Sequence, residues 1–161
     1  MASADSPNAT LAPSITHWRE AMSSLRAGVA QREFTPKVGI ASGIWGASKK
    51  SRSESIHIGL FLTAIAREDS DARRSYIIGI DLCVLGCAEC ADDMLNQIAK
   101  GVGVSRDQIL FSSSHTHAVP LPCIHRAKKD GSELIPEFRE SIIKKTIDAC
   151  IEAGSKIADV D

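Results

Sequence analysis

Apolar and polar residues change period repeatedly along this chain, and each change marks a boundary between elements. From Arg26 to Phe34 the apolar positions partly alternate with polar ones, the two-residue repeat of a strand, and Thr35-Pro36 ends the run. Between Lys37 and Ser55 the pattern lapses into a loop carrying Gly39, Gly43, Trp45 and Gly46, a density of glycine that permits tight turns and close backbone approach. Ile58 to Ala66 and Ser75 to Leu82 are the next strand candidates, and the polar run Arg67-Glu68-Asp69-Ser70-Asp71 between them predicts a hairpin. After Leu82 the period becomes helical. Cys87, Ala91, Met94, Leu95 and Ile98 form one stripe, which predicts a helix over roughly Gly86 to Lys100, closed by Gly101 and Gly103. Gln108 to Phe111 then reads as a buried strand, so that strand, helix and strand make a βαβ unit with a right-handed crossover. A last helix is predicted over Pro136 to Ala153, with Phe138, Ile142, Ile143, Ile147 and Ile151 on its apolar face. Ahead of the first strand, Trp18, Met22 and Leu25 predict a short helix over Ile15 to Leu25, and residues 1–14, rich in Ser, Ala, Pro and Asn, read as a disordered leader. The pattern as a whole predicts an α/β fold: a mixed sheet with a βαβ unit and flanking helices.

Composition narrows the class without naming a function. A chain of 161 residues suits one domain, and 43% hydrophobic with 24% charged residues is ordinary for a globular protein. The net charge of −1 offers no electrostatic footprint for nucleic acid or an anionic membrane. No stretch reaches the length of a transmembrane helix, and the leader has neither the basic start nor the apolar centre of an export signal. The five cysteines, an odd number, do not suggest a disulfide framework, so a reducing cytoplasm is expected. Neither an internal repeat nor a glycine-rich phosphate loop is present.

Candidate chemistry concentrates at Ser112-Ser113-Ser114-His115-Thr116-His117, where an apolar run ends in small hydroxyl residues and two histidines two positions apart. In extended chain, residues i and i+2 face one side, so His115 and His117 can converge, and neutral imidazole is a common zinc ligand. Pro120 and Pro122 then stop regular structure, and polar residues at the carboxyl end of a strand are where open α/β sheets bind ligands. Asp81 ends the preceding strand, where it serves either to orient an imidazole or as a turn carboxylate. His57 reads as a half-buried histidine or a ligand, His17 as a surface residue, and Cys123 with His125 as an adventitious pair beside the prolines. A rival signal is Cys83, Cys87 and Cys90, the Cys-x3-Cys-x2-Cys spacing by which radical S-adenosylmethionine enzymes hold an iron-sulfur cluster. The same positions are also one face of a helix, where buried thiols act as small apolar groups.

Four segments, in order, resemble the N-terminal part of the neutral/alkaline ceramidase family. Gly28-Val29-Ala30 through Glu33-Phe34-Thr35-Pro36 is similar to its opening strand, which ends in Asp-Ile-Thr-Pro. Ser55-Ile56-His57, Leu60-Phe61 and Ala64-Ile65-Ala66 resemble Gly-Ile-His-Asp-Pro-Leu-Tyr-Ala-Arg-Ala. Ile80-Asp81-Leu82 is similar to Ser-Leu-Asp-Leu, and Ile109 to Pro120 resembles Leu-Leu-Ser-Ala-Thr-His-Thr-His-Ser-Gly-Pro. The resemblance covers residues 26 to about 155. It implies a zinc-dependent hydrolase of N-acyl amides, His115 holding the metal and His117 reaching the substrate. The family's remaining ligands, a His, a Glu and a Tyr, and its catalytic serine come from later sequence, so residues 15–161 are expected to be the N-terminal portion of a larger catalytic domain and inactive alone. The chain departs from the pattern at Ala118-Val119, Ile58-Gly59, Cys123 and His125. A lipid amide and a sugar- or amino-acid-derived amide are therefore both open as substrates, and a non-catalytic member of the same fold is the remaining alternative.

Overall fold

A computed structural model of the chain describes residues 25–42, 49–124 and 130–160. The expected leader over 1–14, the expected helix from Ile15, and Gly43, Trp45, Gly46, His17 and His125 lie outside them. The described residues form strands β1 (Arg26–Glu33), β2 (Phe61–Glu68) and β3 (Arg74–Ile80), helix α1 (Ala88–Val102), strand β4 (Ile109–Ser113), helix α2 (Ile135–Ser155) and a short strand β5 (Ala158–Asp159). The sheet order is β4-β3-β2-β1-β5; β3 and β4 are parallel and the other neighbours antiparallel. This is the mixed α/β sheet with one βαβ unit that the hydrophobic pattern predicts.

Alternation along the strands decides which face is covered. Register aligns Ala30 with Ala64 and Ile78, and Ala66 with Tyr76 and Ile109, and every one of these residues is buried. α2 packs on that face over β1 and β2 and against α1, whose Met94, Leu95 and Ile98 join the same core. The alanines matter because a helix approaches a sheet closely only over small side chains. At Gly28 a Cβ would stand 2.2 Å from the carbonyl oxygen of Ala153, near the end of α2, so only glycine admits the helix there. Leu62 is fully buried within this layer. Leu62→Ala is expected to cost about 2–5 kcal/mol through lost transfer energy and a cavity, read as a lower urea midpoint at unchanged slope.

The opposite face carries a row, Val29–Ile65–Ile77–Leu110, aligned across four strands. Val29, Ile77 and Leu110 are 52%, 41% and 62% exposed, so the row lies open among the described residues.

Boundaries shift where side chains compete with the ladder. The second strand starts at Phe61 instead of Ile58. Phe34 N–H donates to the Leu60 carbonyl and Leu60 N–H to Thr35 Oγ1 at 2.9 Å, so the 58–60 stretch is held by loop contacts. Arg67 and Glu68 belong to β2, and the turn falls at Asp69, whose Oδ1 accepts from the N–H groups of Asp71 and Arg73. Glu68 faces inward because Arg26 at 2.7 Å and Arg74 at 2.9 Å bracket its carboxylate. The first helix runs through Gly101 to Val102 and ends at Gly103, where φ is +81°. In α2 the buried stripe includes Thr146, Ala149, Cys150 and Ala153, while Ile151 is 55% exposed and stands off the predicted face. Strand β5, two residues long, carries no periodic signal and is unpredicted. No described helix is long and apolar enough to cross a membrane.

Candidate metal centre

The parallel pair β3 and β4 delivers two chain exits side by side. Ser114 N–H still donates to the Ile80 carbonyl at 3.0 Å, extending the ladder by one residue, and the two exit loops then face each other. His115 follows with φ +59°, in the left-handed region that non-glycine residues occupy at a cost of about 1–3 kcal/mol, a feature that gathers at functional sites. The histidines therefore meet across a turn, not as alternate residues of a strand. Their ring centroids lie 5.0 Å apart, edge to face, and both residues are exposed. Val119 and Pro120 are buried immediately afterwards and pin the loop to the core.

One hydrogen bond defines the chemistry of His115. Its Nδ1 lies 3.2 Å from the Cys83 carbonyl oxygen. A carbonyl only accepts, so Nδ1 carries the proton and Nε2 keeps its lone pair. That is the tautomer metal-binding histidines adopt, the far nitrogen fixed by a backbone carbonyl. The Cys83 thiol, buried, lies 3.8 Å from Nδ1 and 4.0 Å from Nε2 of the same ring. Cys83, His115 and His117 thus offer one sulfur and two nitrogens within 4.8 Å of one another, a donor set that suits zinc.

The other candidates fall elsewhere. Asp81 closes the β2–β3 pair: its Oδ2 accepts from Phe61 N–H at 3.0 Å and its own N–H donates to the Phe61 carbonyl, which is the turn-carboxylate role. His57 is exposed and lines a groove of about 290 Å³ together with Ile56, Ile58, Thr116, Ala118 and Pro120. A second hollow at the end of the open sheet face is lined by Asp81, Ser112, Ser113 and Ser114. The Cys-x3-Cys-x2-Cys run is divided. Cys83 stands with the histidines, while Cys87 and Cys90 group with Cys123. Cys87 stands immediately before α1 and Cys90 in its first turn, but Cys83 lies further upstream and turns toward His115 after β4. None of the five cysteines is in a disulfide. Burial, with the Cys123 and Cys87 thiols alongside, pushes the Cys90 thiol up to about 11, and burial alone pushes Cys150 up to about 12, so neither is a nucleophile at neutral pH. Cys83 and Cys123 were not legible as site partners: only the crossing of two strand exits brings the first to His115, and only the return of the loop past Pro122 brings the second to α1.

Comparison with solved structures matches the architecture to ceramidases. The chain superposes on the crystal structure of neutral ceramidase from Pseudomonas aeruginosa with a TM-score of 0.65 and 18% identity, covering 84% of this chain and 22% of that one. A ceramidase complexed with C2 matches with a TM-score of 0.66 and 19% identity, over the same shares. The fold is ceramidase-like. The chain spans about a fifth of the length of these structures, 22%. No family model and no curated protein matches the sequence.

Proposed function

We propose that this chain forms the metal-holding edge of a zinc-dependent N-acyl amide hydrolase, with His115 as a ligand and His117 serving the reacting carbonyl. The observation that carries the reading is the His115 Nδ1 to Cys83 carbonyl hydrogen bond, which leaves Nε2 as a fixed, exposed donor beside a second imidazole. The ceramidase-like fold supports it, as does the strained backbone at His115. Zinc bound there supplies Lewis acidity, polarising a carbonyl and activating water at neutral pH. His115, and Cys83 through its thiol, would hold the ion, and the Cys83 carbonyl would keep the imidazole oriented. His117 donates a hydrogen bond to the oxygen on which charge develops. The groove beside the loop, with Ile56, Ile58, Ala118 and Pro120 on its wall, offers an apolar seat for an acyl chain. We assign the rest of the catalytic domain, including further ligands, to additional sequence; the open apolar row on the sheet is a surface for that structure to cover.

The test is hydrolysis of N-acyl substrates whose amine is a sphingoid base, an amino acid or an amino sugar. The longer protein is expected to cleave at least one series, to stop on chelation and to recover with Zn2+, while residues 1–161 alone stay inactive. Cleavage indifferent to metal removal, or none in the zinc-replete protein, would overturn the reading.

A further inference from the structure

We infer that Cys87, Cys90 and Cys123 form a second metal site, a three-thiolate cradle for a zinc-class cation that ties the start of α1 to the loop after the histidine pair. Cys87 is the residue before α1 and Cys90 lies in its first turn, so the two face one side. Cys123 comes from the loop that leaves β4, six positions beyond His117. The Cys90 and Cys123 sulfurs are 3.2 Å apart and those of Cys123 and Cys87 3.9 Å apart, and all three lie within 4.8 Å of one another. Zinc–thiolate bonds of about 2.3 Å in a tetrahedron place sulfurs about 3.8 Å apart, so the observed triangle needs only small adjustments to accept the ion.

The backbone makes room for this cluster. Gly86 has φ +107°, and a Cβ there would stand 2.7 Å from Cys123 Cβ, 3.2 Å from its Sγ and 3.4 Å from Cys90 Cβ. Any other residue would push Cys123 out of the triangle. Cys90 and Cys123 are 3% and 4% exposed, whereas Cys87 is exposed, so the cradle is closed on the core side and open outward, where a fourth ligand enters. Soft thiolates select zinc or monovalent copper over the hard cations. Binding there is separate from catalysis: Cys83 and the histidines are a different donor set.

The experiment uses Co2+ as a spectroscopic stand-in for zinc, added to the reduced protein in the His115→Ala background so that the histidine site does not contribute. One equivalent is expected to produce a thiolate-to-cobalt charge-transfer band and tetrahedral visible bands, and Zn2+ to bleach them. Cys123→Ser should abolish the band. Cys87→Ser, at the exposed position, should keep the fold and weaken Co2+ binding by at least the roughly tenfold that even supporting residues of metal sites cost. Circular dichroism verifies that each variant is folded. Absence of the band in the folded parent, its survival in Cys87→Ser and Cys123→Ser alike, or a Cys90–Cys123 disulfide that forms in place of metal binding would overturn the assignment.

Discussion

Replacing His115 with alanine is expected to remove one equivalent of zinc together with all N-acyl hydrolysis, while His117→Ala keeps the zinc and lowers turnover by about a hundredfold or more. The split is what the proposed roles require. His115 is the imidazole whose Nδ1 is committed to the Cys83 carbonyl, so its Nε2 is the oriented donor. His117 stands edge-on to it, with ring centroids 5.0 Å apart and a ligand atom within reach of the same donor set, so this pair of variants decides whether it holds the metal or serves the carbonyl. Metal analysis paired with kcat and KM for both variants separates holding from turning over. Equal loss of zinc would make both residues ligands, and unchanged hydrolysis in both would move the active site elsewhere.

The second large effect lies in the sheet, not the site. Gly28→Val is expected to abolish cooperative unfolding, because the new side chain meets the Ala153 carbonyl and the backbone at Lys156 and Ile157, none of which can rotate away. Gly79, also in a strand, has nothing within 4 Å of its Cβ direction, so Gly79→Ala should stay within about 1 kcal/mol of the parent. Thermal melts by circular dichroism compare the two. Similar melting temperatures would mean that α2 does not rest on β1 as described.

Periodicity read the large elements well because each buries one face against a single layer. Met94, Leu95 and Ile98 of α1 and the alternation of β1 and β3 are direct imprints of that contact, whereas Cys87, also on the expected stripe, stands exposed just before the helix. Where the imprint is shared with another contact, pattern and burial part company. Ile58 is apolar yet 73% exposed, on the wall of the groove, and Ile151 lies on the outer side of α2 while Thr146 takes a core position by returning its hydroxyl to the Ile142 carbonyl. The site shows the same limit. Spacing picked out His115 and His117, but as strand neighbours; the left-handed turn at His115 that brings them together leaves no pattern in composition. The spacing of Cys83, Cys87 and Cys90 is compatible with a cluster or with one helix face, and neither describes the fold, because the departure of Cys83 toward the neighbouring strand leaves no mark in the spacing.

The order of strands also sets a timetable for synthesis. β1 is made early, yet the partners that complete it are α2, which fits against Gly28, and β5, which pairs with Arg26 and Ala27. At usual elongation rates of about 5–20 residues per second, the β1–β3 meander waits on the order of ten seconds for that cover. During this interval Leu62, Ala64 and Ile78 face solvent on the side later filled by helix, and the Val29–Ile65–Ile77–Leu110 row is being laid down on the other. The nascent sheet then has apolar side chains uncovered on both faces, the kind of transient exposure that makes slowly closing β-structure prone to aggregate.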